Sequence, residues 1–151
     1  MRARNAYTLA EMIVVVLVLA ALAALAAPRM PFGLIQRRQA EMTAWKIATV
    51  LRRTRSLAIL EAASNPDGFA LNITQVGNSP AYEIVDCGNE RVVDSQTINS
   101  SVDLRGGTRF EFTPLGTLTR GYEPFLHISA ADKSFTISII PATGMVKCVE
   151  D

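Results

Sequence analysis

Asn65-Pro66-Asp67-Gly68 divides this chain into a helical half and a strand half. A proline that cannot continue a helix, flanked by Asn, Asp and Gly, makes a strong turn and a helix terminator. Upstream, residues 36–62 contain no Gly or Pro and are rich in Ala, Leu, Arg, Glu and Met, which predicts a helix. Ala44, Ile47, Ala48, Leu51, Ala58 and Ala62 recur at helical spacing, so one stripe of that helix packs on a domain. Arg52, Arg53 and Arg55 form either a basic patch or a solvated face whose stems cover apolar surface.

Downstream the period becomes two. Strands are expected over 69–74, 82–85, 91–98, 108–112, 125–129, 134–140 and 145–149, with turns at 77–80, 106–107 and 142–144. The connections are too short for helical crossovers, so the pairing is antiparallel. Phe135, Ile137 and Ile139 alternate with Ser134, Thr136 and Ser138, which turns the aromatic and aliphatic set inward. A chain of 151 residues holds one globular domain of ordinary size. The net charge is +1 with both signs interspersed, which leaves no electrostatic footprint of a nucleic-acid binder.

The chain opens Met1-Arg2-Ala3-Arg4-Asn5-Ala6, continues Tyr7-Thr8-Leu9-Ala10-Glu11, and then runs uncharged and apolar to Ala27, ahead of Pro28 and Arg29. A secretory signal peptide has this outline, with Ala24 and Ala26 imitating a cleavage site. A transmembrane helix has it too, because residues 7–27 extend about 31 Å at roughly 1.5 Å per residue. Neither reading explains Glu11, since a carboxylate in an apolar segment persists where it has a partner. A cut between Ala6 and Tyr7 creates such a partner, an α-amino group close in sequence to Glu11 and able to meet the Glu11 of a neighbouring copy.

Ala6, Tyr7, Thr8, Leu9 and Glu11 resemble the processing signature of type IV pilins and type II secretion pseudopilins, with Ala6 where Gly is usual and Tyr7 where Phe is usual. Pro28 falls where that family commonly carries a helix-kinking proline. The runs 51–59, 110–116 and 139–146 are similar to segments of the GspH/FimT group of minor pseudopilins and minor pilins. The resemblance implies an α+β fold, a long N-terminal helix with a membrane-spanning first half, packed on a domain of two antiparallel β-sheets. It implies a leader over 1–6, a transmembrane and assembly helix over 7–27, a periplasmic part of the helix over 28–64 and a β-rich head over 65–151.

By the same resemblance, Ala6 and Tyr7 mark prepilin cleavage and N-methylation, and Thr8, Leu9, Glu11 and Pro28 serve assembly. The expected role is a minor pseudopilin, a structural subunit of the type II secretion pseudopilus in the bacterial inner membrane, with a cytoplasmic N-terminus, a periplasmic head and assembly into a periplasmic filament. Its expected partners are other pseudopilins or pilins, prepilin peptidase, an inner-membrane assembly platform and membrane lipid, with no nucleic acid. A minor pilin of a type IV pilus, for adhesion or DNA uptake, is the alternative within the family. From another class, the alternative is a soluble binding domain released by signal peptidase.

Cys87 and Cys148 are the two cysteines. Export places them in an oxidising compartment where a disulfide persists, and closing a loop of about 60 residues contributes on the order of 4 kcal/mol in the chain-entropy treatment. Two buried free thiols are the other outcome. His127, the sole histidine, lies in a strand without a Cys/His cluster at metal-ligand spacing. With no nucleotide-binding loop, nucleophile elbow or C-x-x-C, the expectation is a structural protein without catalytic site, cofactor or metal.

Overall fold

A computed structural model describes residues 8–26, 32–119 and 123–151. It is α+β, with α1 over Leu9–Ala26 and α2 over Phe32–Leu60, followed by eight strands in two antiparallel sheets. The chain forms two compact units, Met1–Phe32 and Gly33–Asp151. α2 therefore shares a unit with the sheets.

Two expectations about the N-terminal helix are corrected. The single long helix is two elements, and among the described residues no helix is long and apolar enough to cross a membrane. α1 has 18 residues. It also begins two residues later than the expected span, with Glu11 in its first turn. The single-pass inner-membrane placement therefore does not hold.

In the second unit, α2 buries Ala40, Ala44, Ile47, Ala48, Leu51, Thr54 and Ala58. These positions follow one face of a 3.6-residue period, and the alanines let the helix lie close to its neighbours. Thr54 remains satisfied inside because its hydroxyl donates to the Val50 carbonyl at 2.9 Å.

The first sheet contains β1 (Phe69–Val76), β2 (Ser79–Asp86), β3 (Val92–Thr97) and β5 (Arg109–Phe112), ordered β3-β2-β1-β5. The second contains β4 (Asp103–Gly106), β6 (Phe125–Ala130), β7 (Lys133–Ile140) and β8 (Met145–Glu150), ordered β4-β6-β7-β8. Phe69, Leu71, Ile84, Phe110 and Phe112 from the first sheet join Leu126, Ile128, Phe135, Ile137 and Ile139 from the second, and the α2 stripe completes one core.

The expected strands form with small shifts at their ends, and β4 is an addition to them. Asp103-Leu104-Arg105-Gly106 has no alternation to read, and only pairing with Leu126–Ser129 of β6 makes it a strand. The expected turn at Gly106-Gly107 is where the chain leaves one sheet for the other, and the Gly107 amide donates to the Phe125 carbonyl at 2.9 Å as it passes.

Asn65 is the buried polar group that ties the helix end to the first sheet. Its amide nitrogen donates to the Gly68 carbonyl at 2.8 Å and to Asp86 Oδ1 at 2.7 Å, while its own Oδ1 accepts from the Asp67 amide at 3.2 Å. A residue type suited to a turn is thus also the anchor between α2 and β2.

Candidate functional site

The sequence motif around Glu11 lies at the start of α1. The Glu11 amide donates to Thr8 Oγ1 at 3.3 Å and to the Thr8 carbonyl at 3.1 Å, and the Met12 amide reaches the same carbonyl at 3.2 Å. Thr8 is therefore the N-cap, and Thr8-Leu9-Ala10-Glu11 has the S/T-x-x-E spacing of a capping box. Leu9 is the first helical residue and is exposed. The carboxylate of Glu11 also suits the positive end of the helix dipole. Ala6, Tyr7 and Pro28, the remaining residues of the motif, lie outside the described residues.

Beyond Glu11, α1 is apolar on every side. The large side chains from Leu9 to Leu25 are between 48% and 79% exposed. A helix with this composition is normally covered by something else.

In the second unit, the arginines of α2 act as tethers and do not form a patch. Arg53 Nη1 lies 2.6 Å from Asp94 on β3, Arg52 donates to the Val146 carbonyl on β8 at 3.3 Å, and Arg55 Nε donates to the Gly116 carbonyl at 3.0 Å. Arg37 grips Asp132, in the turn between β6 and β7, with both oxygens of its carboxylate engaged. That guanidinium holds the Asp132 carboxyl below its ordinary range. The charges of one helix thus reach both sheets, and no sequence signal distinguishes such tethers from a solvated face.

Arg55 also marks the meeting point of two turns. The turn ending at Gly116 and the turn ending at Gly144 face each other there, and the Leu118 amide donates to the Pro141 carbonyl at 2.9 Å. A Cβ on Gly144 would lie 1.9 Å from the Gly116 carbonyl oxygen and 2.9 Å from Arg55 Nε. The physical role of both turns is to close the second unit around the end of α2.

The expected Cys87–Cys148 disulfide is not formed; both thiols are free and half-buried. Cys148 lies on β8 opposite Ile137, whereas Cys87 follows β2 in the other sheet. Arg109 Nη2 approaches the Cys87 sulfur at 3.8 Å while also holding Glu111 at 3.1 Å. Burial, then the Glu111 charge, push the Cys87 thiol from 9.0 up to about 11, with Arg109 opposing them. Burial also raises the Cys148 thiol, with Arg52 opposing. Both groups are neutral at pH 7. Because the thiolate is the reactive form, alkylation of Cys87 in the native chain at pH 8 should be about a hundredfold slower than that of an unperturbed thiol. The rate should climb as pH approaches 11, and a denaturant should abolish the difference. Fast labelling of Cys87 at pH 8 in the folded chain would contradict its burial.

His127 is exposed on β6, where Nδ1 lies 2.9 Å from Thr136 Oγ1. That hydroxyl donates to Asp151 at 2.7 Å, so it accepts from His127, and Nδ1 carries the proton. Among the described residues no group of three or more His, Cys, Asp or Glu side chains is arranged to hold a metal ion.

Comparison of the chain with protein-family models, with curated proteins and with solved structures gave no match.

Proposed function

We propose that this chain is a structural subunit of the pseudopilin type, a minor pseudopilin of type II secretion, which assembles through α1 and presents the two-sheet unit as its head. The uncovered apolar surface of α1 is the observation that carries this reading. Eighteen residues with a single charge, Glu11, need cover, and equivalent helices of neighbouring subunits offer apolar cover along the whole length. The second unit is compatible with the reading, since Arg52, Arg53 and Arg55 hold α2 to both sheets and to the Gly116 turn.

In this mechanism α1 exchanges its surroundings when the subunit enters the filament, and Glu11 pairs with the amine exposed by cleavage between Ala6 and Tyr7. The test is the N-terminus of the protein isolated from its native source, read by mass spectrometry. A chain beginning at Tyr7 is the expected result. A chain beginning near Ala27 or Pro28 would remove α1 from the mature protein and sink the proposal.

A further inference from the structure

We propose that the cleft between β1 and β4 receives an extended, uncharged segment of another protein, which adds to the first sheet as a strand beside Gln75. The inference concerns the two-sheet unit alone and does not rest on α1. β1 runs from Phe69 to Val76, yet β5 pairs only with Phe69–Asn72, and one further bond joins the Ile73 amide to the Thr108 carbonyl at 2.7 Å. In an antiparallel ladder the backbone groups of alternate residues point to the same edge, so those of Gln75 point the way the Ile73 amide does. In register, their partner would be residue 106. Gly106 instead ends β4 in the second sheet, opposite Leu126, so the first sheet stops one ladder step short of Gln75.

A cleft of about 340 Å³ occupies that gap, within the size range of ligand sites. β4 lines its far side and, as an end strand, has a free edge of its own. Inside the cleft, Thr74 Oγ1 is shielded from solvent and has no hydrogen-bond partner among the described residues. An incoming amide or hydroxyl would supply that missing bond.

The lining defines the occupant. Free backbone groups at ladder positions are matched by another backbone, and open strand edges are where extended peptides add. Val102 and Leu104 offer apolar contact to a side chain of the added strand, while Thr74, Gln75 and Thr108 offer uncharged polar contact. Asp103 is the one charged residue among the described lining, and Arg105 holds its carboxylate at 2.7 Å. A charge on the added strand would lose water without gaining a counter-charge. This disfavours the end strands of a second copy, because β3 carries Asp94 and β8 carries Lys147 and Glu150.

The test titrates the full chain, with α1 covered by a mild detergent, with a capped peptide of alternating valine and threonine. Amide hydrogen exchange is read residue by residue. Near saturation the Gln75 amide should exchange about tenfold more slowly, while the Thr74 amide, which points at β2, should not change. Gln75→Pro removes the free N–H from a position that no ladder bond uses, and it should weaken binding about fivefold, the usual order for one hydrogen bond. Thr74→Val should weaken binding by a similar factor and leave the denaturation midpoint of the free chain unchanged or higher, since it deletes a hydroxyl that has no partner. Should Gln75→Pro fail to fold, a peptide methylated on the backbone amides that would face β1 makes the same cut from the ligand side, and it should not bind. Absence of protection at Gln75 at millimolar peptide, or equal binding of the methylated peptide, would overturn the inference. Protection of Gln75 that rises with protein concentration in the absence of peptide would assign the cleft to a second copy and overturn it as well.

Discussion

Gly144→Ala should lower the stability of the head by at least about 3 kcal/mol, whereas Gly77→Ala should cost only about 1 kcal/mol. The two glycines share a φ of +64°, in the left-handed region that strains an alanine at either position. Their surroundings differ. Gly77 sits in the β1–β2 hairpin turn with nothing within 4 Å of a methyl placed on its Cα, while at Gly144 that methyl would meet the Gly116 carbonyl oxygen at 1.9 Å. Backbone is what it meets, so no side-chain rotation relieves the contact, and one of the two turns must shift. The difference between the two variants isolates the steric part. Chemical denaturation measures it, with an unchanged slope and a shifted midpoint. Equal losses for the two variants would show that the turns do not press on one another.

Leu17→Asp should abolish association between copies while leaving the head as stable as before. Leu17 is near the middle of α1 and 63% exposed, so the single chain tolerates a carboxylate there. Among packed apolar helices the same carboxylate has neither water nor a counter-charge, and an uncompensated buried charge costs about 3–5 kcal/mol, roughly a factor of a hundred to several thousand in the association constant. Because α1 and the sheets belong to separate compact units, thermal unfolding of the head provides the control. Association at wild-type strength would show that the apolar surface of α1 is not where copies meet.

The legibility of this fold varies with how local its causes are. The α2 stripe is readable because Ala44, Ile47, Ala48 and Leu51 obey the helical period that buries them, and β7 because Phe135, Ile137 and Ile139 alternate against polar neighbours. β4 is not readable, since Leu104 is the one aliphatic residue in its four and the strand exists through its pairing with β6. The disulfide expectation rests on compartment alone, and sequence contains no measure of which sheet each cysteine occupies. The arginines show the same limit. Arg52, Arg53 and Arg55 are close in the chain yet end at β8, β3 and the Gly116 turn, and only the three-dimensional arrangement of their acceptors separates tethers from a patch. At Thr8 and Glu11 the sequence carries a second signal. The S/T-x-x-E spacing stands beside the resemblance to a processing signature, and the amide contacts at Thr8 give it local meaning.

The path of the chain between the sheets also sets an order of events for folding. β1 pairs with β2 across a two-residue turn, but its other edge waits for β5, whose partner residues include Phe110 and Phe112. Between them the chain must first visit the second sheet as β4, whose own partner β6 has not yet been synthesised when β4 emerges. A nascent chain therefore carries an open edge on β1 and a solitary β4 until residues 109–130 have been made. Contacts this distant in sequence slow folding and leave strand edges available to wrong partners. Early release or truncation before β6 should consequently yield aggregates rather than a smaller folded head.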